Sequence, residues 1–163
     1  MKEQKAILAA GCFWGVEELL RKFPGVLKTE VGYCGGKAAA DALYSKVKTG
    51  GTGHAESVLI EFDSEKISYE TLLQAFFKLH DPTTPNQQGN DIGTQYRSVI
   101  FCMDSSQKEI AEKIKIEVHD SGKWKRPVIT QIVDAMPFHS AEEYHQDYLQ
   151  KNPTGYTCHY WRE

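Results

Sequence analysis

The chain has 163 residues, 40% of them hydrophobic and 25% charged, with a formal net charge of −3. That length suits one domain with a substantial core, and the composition is that of an ordinary globular protein. The mild acidity argues against non-specific nucleic-acid binding and a membrane-surface role, and no apolar run approaches the roughly 20 residues needed to span a bilayer.

The first apolar run, behind Met1-Lys2-Glu3-Gln4-Lys5, is too short for a signal peptide, so a reducing cytoplasm is the expected compartment. Residues 5–10 read as a strand. Val16, Leu19 and Leu20 fall at helical spacing and predict a helix over 13–22, with Gly11 as the pivot between the two. Val26 to Tyr33 reads as a second strand. Residues 34–53, with Gly35-Gly36 and Gly50-Gly51-Thr52-Gly53, read as loop. Ser57 to Phe62 predicts a strand, and Ser68 caps a helix over 69–80 whose apolar face is Leu72, Leu73, Phe76 and Phe77. Residues 81–95 form a long polar loop, a kind of segment that tends to be functional or disordered. A strand follows over 96–103. Asp104 with Gln107 resembles a capping box opening a helix to about residue 119. Val128 to Asp134 predicts another strand. Ser140 with Glu143 predicts a second capping box and a helix to about residue 150. The tail, "NPTGYTCHYWRE", reads as irregular. Strict alternation of strand and helix fails, so the expected class is α+β, with helices packed on a largely antiparallel or mixed sheet.

Four cysteines stand at positions 12, 34, 102 and 158, with no C-x-x-C pair, which argues against a zinc ribbon or a thioredoxin-type motif. Cys12 sits where a strand hands over to a helix, and a helix N-terminus stabilises a thiolate and lowers a thiol's pKa. Phe13 and Trp14, next to it, are core residues or the wall of an apolar pocket. Glu56, beside an apolar stretch, is an ordinary surface carboxylate or a desolvated general acid. His54 more often makes a structural hydrogen bond. Tyr44 and Tyr96 border the polar loops as packing residues or as hydroxyl donors. Asp91 in "GNDIG" is a turn former on the simplest reading. Cys158, in the tail, suggests a resolving thiol. Cys102 reads as core, and Cys34 has no placed role.

The segments "GCFWGVEE", "VGYCGG", "TGHAESV", "HDPTTPNQQGNDIGTQYRS" and "AEEYHQDYL" resemble the signature segments of type A peptide methionine sulfoxide reductases, in order and along nearly the whole chain. The resemblance implies one domain over 1–163: a two-layer α+β sandwich on a mixed, largely antiparallel sheet with a ferredoxin-like core, and a mobile tail over 151–163. It implies reduction of methionine S-sulfoxide, free or in proteins. Cys12 would be the nucleophile, Phe13 and Trp14 the methyl pocket, and Glu56 the acid, held protonated by its apolar setting and by tyrosine hydroxyls. Tyr44, Asp91 and Tyr96 would bind the sulfoxide oxygen, and Cys158 would recycle the enzyme through a Cys12–Cys158 disulfide. Thioredoxin would be the reductant of a monomer that needs no cofactor and no metal.

Two segments depart from the family's pattern. Asp41-Ala42-Leu43 replaces the usual Asn-Pro-Thr before Tyr44, and Cys34 replaces a small residue. The competing readings are a Cys/His hydrolase or acyltransferase with His54 or His145 as base, and an oxidant sensor using Cys12 and Cys158.

Overall fold

The computed structural model describes residues 2–162. The strands are β1 (Glu3–Ala10), β2 (Val26–Cys34), β3 (Ala55–Asp63), β4 (Gln87–Gln88), β5 (Asp91–Ile92), β6 (Ser98–Cys102), β7 (Gln131–Asp134) and β8 (His139–Ser140). The helices are α1 (Phe13–Leu20), α2 (Tyr44–Val47), α3 (Tyr69–Leu79), α4 (Ser105–Asp120) and α5 (Tyr148–Lys151).

Six strands form one sheet in the order β7-β6-β1-β3-β2-β8, and β4 pairs with β5 in a separate hairpin. Only β6 and β7 run parallel; every other pairing is antiparallel. β1 lies inside the sheet and its residues from Ala6 to Ala10 are all buried, which is why the sequence there is continuously apolar and does not alternate. The four strands β6-β1-β3-β2, with α1 linking β1 to β2 and α3 linking β3 to β6, make the split β-α-β arrangement of a ferredoxin-like core. Leu8, Phe13, Leu20, Ile60, Phe62, Leu72, Phe76, Ile100 and Ile114 join sheet, α1, α3 and α4 into the main core on one face. A smaller cluster of Ile7, Ala9, Cys34, Ala55, Val99 and Phe101 covers the other face. The predicted two-layer α+β class is the observed one.

Local signals explain two helix starts. The Ser68 hydroxyl accepts from the Thr71 N–H, and the Asp104 carboxylate accepts from the Gln107 N–H at 2.8 Å. The Gln107 amide reaches one residue beyond the cap, accepting from the Met103 N–H at 2.9 Å, and donates to the Lys5 carbonyl at 2.8 Å. The capping residue of α4 therefore also ties that helix to β1.

The second predicted capping box does not form. Ser140 lies in β8, paired with Gly32, and its hydroxyl donates to the Glu30 carboxylate. The expected helix reduces to a single turn at Glu143–His145 and the short α5, divided at Asp147 with φ of 54°. Side chains in this segment are engaged elsewhere. Gln146 accepts from the Val31 N–H at 2.9 Å and donates to the Val31 carbonyl at 2.8 Å, so its amide continues the edge of β2 where β8 stops. Gln88 does the same for the loop over 81–95, accepting from the Asp81 N–H at 2.9 Å and donating to its carbonyl at 2.8 Å. That loop is thus an ordered hairpin.

Gln146→Leu keeps the volume and leaves the Val31 N–H unpaired inside the protein. It should destabilise the fold by about 1–3 kcal/mol, read as a lower urea midpoint at unchanged slope.

Candidate active site

β1 ends at Ala10, and the chain reverses through Gly11 at φ 95°, a left-handed value that suits glycine. Cys12 caps α1, and Phe13 and Trp14 open its first turn. The first amides of a helix have no partner inside it. The Phe13 N–H donates to Glu56 Oε1 at 3.2 Å, and the Trp14 N–H lies against the Cys12 thiol. Glu56 reaches this point from β3, directly across from Tyr33 in β2, and is 2% exposed. Thiol and carboxyl thus share one helix terminus.

Burial lifts the Glu56 carboxyl to about 8; the Phe13 N–H opposes the rise and the Asp91 charge adds to it. Glu56 is therefore neutral at pH 7. The donor that touches it is the Phe13 N–H; no tyrosine hydroxyl among the described residues bonds to it, contrary to expectation. The expected lowering of the Cys12 pKa is also overturned. Cys12 is 7% exposed, and burial, then the Glu56 charge, push its thiol well above the ordinary value, with the Trp14 N–H opposing them. A helix terminus offers about half a unit charge, too little against the loss of water and two nearby carboxyls. The resting site holds a thiol and a carboxylic acid, both protonated.

Trp14 and Phe13 play different parts. Phe13 is buried, its ring centroid 5.7 Å from Tyr33 and 5.2 Å from His145, so it belongs to the core as well as to the wall. Trp14 is half-buried, stacks on Tyr148 at 3.7 Å and 9°, and donates its indole N–H to His145 Nδ1 at 3.0 Å. The proton of the neutral His145 ring is thereby on Nε2. Asp147 donates its N–H to Glu17 Oε1 at 3.0 Å, and Arg21 bridges both carboxylates at 3.2 and 2.8 Å, which fastens Tyr148 to α1. His145 and Tyr148 stand in "AEEYHQDYL"; the sequence offers His145 only as the base of the rival hydrolase and gives Tyr148 no part, and the His145 lone-pair nitrogen is taken by the Trp14 indole N–H. The adjacency of aromatic and imidazole side chains in a half-polar segment was the available signal.

Tyr44 begins α2, its ring 4.5 Å from His145. Glu142 accepts from the Tyr44 N–H at 2.9 Å and from the Tyr33 hydroxyl at 2.8 Å. A carboxylate from a distant segment, not the altered Asp41-Ala42-Leu43 turn, anchors this tyrosine. Tyr96 lies in a short turn after β5, and Asp91 in β5 itself. Burial raises the pKa of both Tyr44 and Tyr96, so both hydroxyls carry protons, and neither has a hydrogen-bond partner among the described residues. Asp91 Oδ2 accepts from the Tyr156 hydroxyl at 3.3 Å, and burial raises its pKa. The Cys158 sulfur lies 3.9 Å from each of the Gln88 carbonyl, Asp91 Oδ2 and His159 Nδ1. Cys12, Phe13, Trp14, Tyr44, Glu56, Asp91, Tyr96 and Cys158 are therefore brought together.

The remaining candidates fall away from the thiol. His54 accepts from the Gly36 N–H at 3.0 Å through Nδ1 and meets the Ala38 carbonyl at 2.9 Å through Nε2, so neither nitrogen is free to act as a base. Cys34 is buried on the far face of the sheet, its thiol donating to the Met136 carbonyl at 3.4 Å. Cys102 belongs to the core. Among the described residues no three His, Cys, Asp or Glu side chains are grouped to hold a metal ion, and no helix is long and apolar enough to cross a membrane.

The family model described as peptide methionine sulfoxide reductase matches residues 4–163. A peptide methionine sulfoxide reductase MsrA of Mycobacterium ulcerans is 53% identical over 159 residues, covering 98% of this chain and 90% of the relative. The reduced form of Mxr1 from Saccharomyces cerevisiae superposes with a TM-score of 0.94 at 40% identity, over 99% of this chain and 93% of Mxr1. Mxr1 in complex with Trx2 superposes with a TM-score of 0.68 at 26% identity, over 99% of this chain and 91% of that one. With a family match along nearly its whole length, the chain belongs to the peptide methionine sulfoxide reductases.

Proposed function

We propose that this chain, as one domain over residues 1–163, reduces methionine S-sulfoxide, free or within proteins, by the chemistry of Cys12 and Glu56. The observation that carries the reading is the buried Glu56 carboxyl bonded to the amide beside Cys12, a setting that raises its pKa to about 8. A sulfoxide needs a nucleophile at sulfur and a proton at oxygen, and a resting thiol–acid pair holds both. Glu56 gives its proton to the sulfoxide oxygen and becomes a carboxylate beside a thiol whose proton it then takes. The helix terminus and the Trp14 N–H support the sulfur as it becomes anionic. The balance is one thiol plus one sulfoxide giving one sulfenic acid on Cys12 plus methionine, with Glu56 restored. Trp14, stacked on Tyr148, and Phe13 enclose the methyl group, and the unpartnered Tyr44 and Tyr96 hydroxyls donate to the oxygen, with Asp91 alongside.

Cys158 resolves the product. Its thiol attacks the Cys12 sulfenic acid, forming a Cys12–Cys158 disulfide and water. Thioredoxin then reduces the disulfide by thiol exchange, attacking Cys158 and releasing Cys12; the complex of Mxr1 with Trx2 supports this partner. All four cysteines are free, which suits a reducing compartment such as the cytoplasm.

Single-turnover release of methionine from the separated S and R epimers tests the reading. Cys12→Ser should abolish release from the S epimer while the protein stays folded; near-normal release would end the mechanism. Glu56→Gln keeps a hydrogen-bond donor but has no acidic proton, so the single-turnover rate should drop by roughly 10²–10⁴. Because burial raises the Glu56 value to about 8, the acid is present below that pH and lost above it. The wild-type rate should hold up to about pH 8 and then fall about tenfold per pH unit, a limb absent in Glu56→Gln. Cys158→Ser should release about one methionine per enzyme and then stall with thioredoxin, because the first step needs only Cys12. Dithiothreitol should restore turnover in part, and steady thioredoxin-driven turnover would remove Cys158 from the cycle.

A further inference from the structure

The tail is fitted against α1 by one buried ring. His159 is 6% exposed, and its Nε2 donates to the Ala10 carbonyl at 2.6 Å. Ala10 ends β1, two residues before Cys12. That bond leaves the proton on Nε2 and Nδ1 bare, facing the Cys158 sulfur at 3.9 Å. Burial holds the ring neutral, lowering its pKa to about 4; the Ala10 bond opposes this and the Arg162 charge adds to it. α1 makes room for the ring: a Cβ on Gly15 would collide with His159 Nδ1 and the Thr157 hydroxyl, and one on Gly11 would sit 3.3 Å from His159 Nε2. Thr157 itself accepts from the His159 N–H at 3.1 Å. Contacts on either side are thinner, namely the Tyr156 hydroxyl on Asp91 at 3.3 Å, the edge of Trp161 on Phe23 at 5.3 Å, and the Arg162 N–H on the Lys78 carbonyl at 2.8 Å.

We propose that His159 is a positioning residue of the recycling step: pinned to the strand end that carries Cys12, it seats Cys158 for attack on the sulfenic acid. The proposal rests on the reading of Cys158 as the resolving thiol. The step is the one balanced above, and His159 enters none of its bonds. Its bond to Ala10 lets the intramolecular attack start from a held position, where a loose tail would have to search.

The test separates the two half-reactions. In His159→Phe the ring volume stays and the donor is lost. Its single-turnover methionine burst should stay within about twofold of wild type, while disulfide formation, followed by quenched peptide mapping, should slow at least about tenfold. Thioredoxin-driven turnover should drop with it, and dithiothreitol-driven turnover should hold. His159→Gln, whose amide can donate to the Ala10 carbonyl, should recover most of the loss, which filling space alone would not achieve. Gly15→Ala retains His159 but evicts its ring, and alanine favours the helix, so slow recycling there cannot come from failure of α1 to form. Disulfide formation at the wild-type rate in His159→Phe and Gly15→Ala, while Cys158→Ser stalls, would overturn the role of His159 and leave that of Cys158 intact. Normal thioredoxin-driven recycling in Cys158→Ser would overturn the reading beneath it. A burst slowed in parallel with the disulfide would show that His159 acts on Cys12, and would also overturn the proposal.

Discussion

Everything in the site depends on a carboxyl group that has lost its water. Glu56 is carried into the protein by β3, and among the described residues the one hydrogen bond of its carboxyl comes from the amide that opens α1 beside Cys12. Charged, it would be costly there; neutral, it is a proton donor at pH 7. The same burial keeps Cys12 a thiol, since a thiolate beside an ionised Glu56 would place two negative charges in one dry corner. The two groups therefore cannot be judged apart. In the proposed reaction the reactive state is reached when a sulfoxide oxygen takes the carboxyl proton, and the thiol then has a base beside it.

Around that pair, the structure supplies position through side chains that stand in for backbone. Gln146 extends β2, Gln88 closes the hairpin that carries Asp91, and Glu142 anchors Tyr44. Gln88 closes its own loop from seven residues away, while Gln146 and Glu142 join segments far apart in sequence. His145 does the same for Trp14 through the indole N–H.

The division between what the sequence shows and what it hides follows from this. The unbroken apolar run of β1 and the caps at Ser68 and Asp104 are local, and they were legible. The proposed nucleophile, acid and tail thiol, Cys12, Glu56 and Cys158, stand in short motifs that mark them as candidates. The Ser140 helix was misjudged because its capping pattern is local, while the bonds that win are to Val31, Tyr33 and Tyr44. The Cys12 thiol was misjudged for the same reason: the helix terminus is visible at residue 12, but the burial and the carboxyls that outweigh it come from β3 and β5. His159 beside Cys158 gave no sign, because its partner is a backbone carbonyl at the other end of the chain.

The Gln146 amide has a bearing on the company this protein keeps. The outer edge of β2 pairs with β8 only at Gly32 and Tyr33, and a longer bare edge would be a template for strand addition. With Val31 already satisfied by a side chain, β2 offers an incoming chain no free ladder at that residue. An extended segment that docks on this edge therefore meets a strand already paired from Val31 to Tyr33.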